Sequence, residues 1–89
     1  MTEHSESADV EARVATVVAG VFGKDETEIG RETEFVTDLG ASSVDLVALL
    51  AALEGEFGIA VPPSDIRERG TVGAAVDRIE LELDGYEGY

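Results

Sequence analysis

The chain contains no cysteine and no tryptophan, and it has only two prolines and one histidine. Without cysteine there is no disulfide, no thiolate metal site and no thiol of its own, so any thiol chemistry must come from an added group. The single histidine, His4, stands in a polar N-terminal stretch, where no Ser-His pair can be held in place. A self-contained hydrolytic enzyme is set aside on that ground, and no catalytic residue is assigned. Positive charge is scarce as well: six Lys and Arg stand against 20 Asp and Glu, a formal net charge of −14. That balance speaks against nucleic acid, which needs a basic footprint, and against anionic membrane surfaces. It suits a protein whose partners carry basic docking patches. No run approaches the roughly 18 apolar residues of a membrane span. Met1 to Ala8 is polar and acidic, unlike a signal peptide, so a cytoplasmic location is expected. No Gly-rich phosphate loop is present. No Asp-x-Asp-x-Asp-Gly loop with a glutamate at its twelfth position suggests calcium, so no metal is assigned.

What is present is helical periodicity. The chain of 89 residues is enough for one domain, and so small a domain buries only about 60% of its unfolded surface. Residues 1–8 are expected to form a disordered tail, with Asp9 as the cap of a first helix. Val10, Val14, Val17, Val18 and Val21 then make one stripe at i, i+4, i+7, i+8 and i+11. Valine favours strands, but the stripe persists over three turns, and Gly23 supplies a stop. Gly23 to Ser42 is a connection of about 20 residues, too long for a structureless loop in a small domain. It carries Ile29, Phe35, Val36 and Leu39, so it is expected to be ordered and to plug these side chains into the core. Leu46, Leu49, Leu50, Leu53 and Phe57 form a second stripe, opened by Ser42 or Ser43 and closed by Gly58. Pro62 and Pro63 open a short helix through about Arg67. Thr71 caps a last helix with Val72, Ala75, Val76, Ile79 and Leu83 on one face. Residues 84–89 (DGYEGY) are expected to be a flexible tail. The predicted architecture is all-α: a small antiparallel bundle of three main helices and one short helix, with a long ordered loop between the first two.

The stretch from Phe35 to Phe57, FVTDLGASSVDLVALLAALEGEF, carries the chemistry. It resembles the acyl carrier protein family, whose hallmark is Asp-Leu-Gly-x-Asp-Ser-Leu opening the second helix. Asp38, Leu39, Gly40, Ala41, Ser42, Ser43 and Val44 occupy the positions of that hallmark, with Ser42 and Val44 departing from it. Arg13 and the valines of the first helix, the Phe35-Val36 pair, the Leu53-to-Phe57 run and the Thr71-to-Ile79 segment fall at family spacing too, so the resemblance covers roughly residues 9 to 83.

The resemblance implies a non-enzymatic carrier domain whose motif serine takes a 4′-phosphopantetheine arm from coenzyme A and holds acyl groups on it as thioesters. Ser43 lies fourteen residues before Phe57, at the family's modified position. The physical chemistry agrees, because free N–H groups and the positive end of the helix dipole favour a phosphate there. The arm reaches roughly 20 Å if scaled as a peptide of similar bond count. Ser42, by contrast, suits an N-cap, with Asp45 at N3 completing a capping box. The implied partners are a phosphopantetheinyl transferase and the acyl-transferring or condensing enzymes that use the cargo; a monomer is expected. Docking is assigned to Val44, Asp45, Ala48, Ala51 and Glu54 on the second helix, and the rim of an acyl-chain opening to Val44, Ala51 and Ile66. Ser42 replaces the family's aspartate, Val44 its leucine, and Ala48 and Gly55 stand where fatty-acid carriers often have glutamate. This less acidic face points to a specialised, polyketide-type pathway. Primary fatty-acid synthesis and an unmodified, carrier-like interaction module are the alternatives.

Overall fold

Three apolar stripes at helical spacing become three long helices around one core. The computed structural model describes residues 6–64, 66, 67 and 70–87, with the side chains of residues 9–83 among them. Helix α1 spans Glu6–Phe22, α2 spans Ser43–Phe57 and α3 spans Val72–Glu87. Pro63 and Ser64 are helical between α2 and α3, and Ile66 and Arg67 lie in a wider, π-type turn. The fold is all-α, as expected; among the described residues the only strand-like pairing is an isolated bridge between Glu34 and Thr71. No described helix is long and apolar enough to cross a membrane.

α1 packs against both α2 and α3. Val10, Val14 and Val18 of its stripe are buried, with Val17 and Val21 packed alongside. Leu49 and Leu53 of α2 and Val72, Ala75, Val76 and Ile79 of α3 meet them in the same cluster, and Leu46, Leu50, Phe57 and Leu83 cover its edges. No described polar or charged residue is buried. Arg13 fastens the outer seam between α1 and α2: its guanidinium donates to the Glu56 carboxylate at 2.9 Å and carbonyl at 3.0 Å, and lies over the Phe57 ring.

The helix ends differ from expectation in two places. α1 begins at Glu6, inside the segment expected to be disordered, so Asp9 is helical and not a cap. Neither proline nor glycine stands between Glu6 and Asp9, and extending a packed helix costs far less than nucleating one. α3 runs through to Glu87, past Asp84 where a loose tail is expected. Gly85 weakens a helix by about 1 kcal/mol without forbidding it. The tail expectations for residues 1–5 and for 88 and 89 fall outside the described residues.

The long connection is ordered by specific bonds. Gly23, at φ +67°, ends α1, and Lys24 N–H donates back to the Ala19 carbonyl, a left-handed glycine stop. A single 3₁₀ turn follows at Glu26–Glu28, capped by Asp25. Residues 31–35 then run beside the start of α3. Phe35 N–H donates to Gly70, Val72 N–H to Thr33 and Gly73 N–H to Arg31, while Arg31 reaches Asp77 at 3.0 Å. Phe35 is fully buried and Ile29 and Leu39 pack against the core, but Val36 is 55% exposed. With Phe35 pointing inward, its neighbour Val36 is turned out.

Candidate functional site

The loop delivers the chain to α2 through the Asp38-Leu39-Gly40 motif. The Asp38 carboxylate accepts from Glu34 N–H at 2.8 Å, Leu39 packs on the core, and Gly40 takes φ +68°. That left-handed turn lets Ala41 N–H donate to the Phe35 carbonyl and aims the chain into the helix. The motif is therefore the fastening that fixes where α2 starts.

At that start the two adjacent serines separate in role. Ser42 is the N-cap, extended at φ −89° and ψ 175°. Its Oγ accepts from Asp45 N–H at 3.1 Å, and the Asp45 carboxylate accepts from Ser42 N–H at 3.0 Å, closing the predicted capping box. Ser43 is the first helical residue and is exposed. Its N–H and that of Val44 stand where an α-helix offers no acceptor, and no described residue supplies one.

Ser43 also lines a cavity of about 240 Å³. Leu46, Val47 and Leu50 form its α2 side, and Pro63, Ile66 and Arg67 face them. Of the three residues expected at the rim of an acyl-chain opening, Ile66 lines this cavity and Val44 and Ala51 do not. The groove takes the row 43, 46, 47 and 50, whereas 44, 48 and 51 form the next row round the helix.

That next row is exposed. Val44 is 76% accessible, and Ala48 and Ala51 are exposed beside it. Val47, 67% accessible, extends the patch and was missed, although its i+3 spacing from Val44 was available as a signal. The two predicted acidic docking residues have internal partners. Asp45 belongs to the capping box, and the half-buried Glu54 accepts from Val61 N–H at 3.2 Å, anchoring the chain beyond α2. Arg67 also escapes sequence reasoning, since only the fold carries it to the groove.

The residues present fit a phosphopantetheine arm: an exposed hydroxyl, a helix start with acceptor-free N–H groups, and an apolar groove beside them. Comparison with known proteins agrees. The phosphopantetheine attachment site family matches residues 12–79. The solved structure of an acyl carrier protein from Enterococcus faecalis superposes with a TM-score of 0.67 at 30% sequence identity, covering 82% of this chain and 92% of that one. The prosthetic group that such a domain holds is 4′-phosphopantetheine. A family match spanning most of the chain, a structural likeness of that extent and the architecture around Ser43 converge, and the chain belongs to the acyl carrier protein family.

Proposed function

We propose that Ser43 Oγ is the attachment point of the arm and that residues 9–83 act as a monomeric carrier unit. The observation that carries this is the division of labour between the serines: Ser42 Oγ is engaged by Asp45 N–H, while Ser43 stands exposed over the open helix start. When bound, the arm supplies the thiol that this cysteine-free chain lacks, on which acyl groups are held as thioesters. The chain's own residues hold and present it. The first turn of α2 favours the phosphate charge, and Ser42 with Asp45 keeps that turn rigid. The apolar groove that Ser43 lines offers the arm a sheltered surface beside its attachment point.

Partner enzymes dock on the row Val44, Ala48 and Ala51, widened by Val47. Asp45 and Glu54 lend negative charge at its flanks, although their carboxylates already hold internal bonds. The partners are a phosphopantetheinyl transferase and cytoplasmic acyl-transferring or condensing enzymes, each meeting the patch with a small apolar surface ringed by Arg or Lys. The apolar character of this face supports a specialised, polyketide-type pathway over primary fatty-acid synthesis. Intact-mass measurement after incubation with coenzyme A and a broad-specificity transferase tests the assignment. A mass gain of one phosphopantetheinyl group that disappears in Ser43→Ala is expected. No gain in the parent protein would favour an unmodified interaction module instead.

A further inference from the structure

Cations are few in this chain, and most of the described ones are occupied. Arg13 is paired with Glu56, Arg31 with Asp77 and Arg78 with Glu82. Arg67 has no carboxylate partner among the described residues. It is exposed, and it borders the groove that Ser43 also lines. The remaining lining, from Leu46, Val47, Leu50, Pro63 and Ile66, is apolar. Such a lining gives no reason for a guanidinium at its edge. A singly charged phosphodiester on Ser43 Oγ does, because a planar donor fork suits phosphate oxygens.

We propose that Arg67 anchors the arm: its guanidinium pairs with the phosphodiester on Ser43 and lays the first part of the arm into the groove. This rests on the assignment of Ser43. The groove's apolar lining suits the branched hydrocarbon segment next to the phosphate. The direction matters for docking. The groove uses the row 43, 46, 47 and 50 of α2, whereas the rest of the exposed patch is the row 44, 48 and 51. An arm held on Arg67 leaves that second row uncovered, so a partner can seat there before drawing the arm out. The pairing is exposed and biases the arm without locking it. Its expected weight is roughly a two- to five-fold shift in population, eroded by salt.

The test uses the full chain carrying the arm, made as the parent protein and as Arg67→Gln and Arg67→Lys. Intact mass followed by fragmentation of the modified peptide first establishes that each carries the group on Ser43; absence of the group, or its placement on Ser42, would overturn the Ser43 assignment and this inference together. In the parent, the ³¹P resonance of the diester should be displaced from that of a free diester. The Leu46, Leu50 and Ile66 amide resonances should also move between the unmodified and modified forms. Both displacements should be clearly smaller in Arg67→Gln, which keeps only the helix-start contribution, intermediate in Arg67→Lys, and should shrink in the parent as salt is raised. Identical ³¹P and amide shifts in parent and Arg67→Gln would overturn the anchor. Short acyl cargoes of equal length, one ending in a carboxylate and one uncharged, distinguish a second source of anion. If Arg67-dependent shifts appear only with the carboxylate, the cargo and not the phosphodiester is the partner, and the proposal fails.

Discussion

The N-terminal ends of α2 and α3 begin alike and end up different. Each is capped by a hydroxyl three residues before the N–H it satisfies: Ser42 accepts from Asp45 and Thr71 from Ala74. At α3 the next two N–H groups are also consumed, Val72 by the Thr33 carbonyl and Gly73 by that of Arg31. At α2 the equivalent groups of Ser43 and Val44 meet no acceptor among the described residues. The strap of residues 31–35 closes one helix start, while the other stays open. A helix N-terminus is thus structural or available according to what the rest of the chain lays across it.

The largest effect that could break this contrast is complete. Ser43→Ala should abolish the mass gain from coenzyme A and transferase, and Ser42→Ala should retain it. The opposite outcome would mean that the open end is read one residue out of register.

A smaller effect is expected on the exposed face that follows the open end. Ala48→Arg should lower the rate of acyl transfer to partner enzymes about tenfold, the loss of about 1.4 kcal/mol of contact. Its thermal stability should stay within about 0.5 kcal/mol of the parent, as for an exposed substitution. Equal turnover would remove the row Val44, Ala48 and Ala51 from the docking surface.

The caps themselves should be equivalent. Ser42→Ala and Thr71→Ala should each cost about 1 kcal/mol in urea denaturation. A much greater loss at Thr71 would show that the strap and the cap stand or fall together.

The smallest effect probes the strap. A Cβ on Gly73 would sit 3.0 Å from the Arg31 carbonyl oxygen, which already accepts from Gly73 N–H. Gly73→Ala should therefore lower stability by about 0.5 kcal/mol. Alanine's better helix propensity offsets much of an overpacking cost of about 1–3 kcal/mol. A rise in melting temperature would show instead that the strap yields freely.

How far the sequence could be read depended on whether the signal was local. The valine stripe of α1 and the leucine stripe of α2 revealed helices because burial on one face imposes a 3.6-residue period. The Ser42–Asp45 box was legible for the same reason, since both partners lie within one turn. Val36 was misplaced because a loop has no period to say which of two adjacent apolar residues faces inward. Asp9 and Asp84 were misread as boundaries because helix ends depend on how far packing propagates, and neither site carries a breaker strong enough to stop it.

By itself, then, the sequence determined the helices, the stops at Gly23 and Gly58, the capping serine and the exposed serine beside it. All of these follow from contacts within a turn or two of the chain. Only the tertiary structure decided which helix start stays open, because the closing carbonyls of Arg31 and Thr33 lie some forty residues from the N–H groups they meet. It likewise decided that the groove takes the row of Leu46, Val47 and Leu50, and that Arg67 borders the same cavity as Ser43. Those placements depend on Pro63, Ile66 and Arg67 coming to lie opposite α2 across the cavity, and no local pattern of residue types encodes that approach.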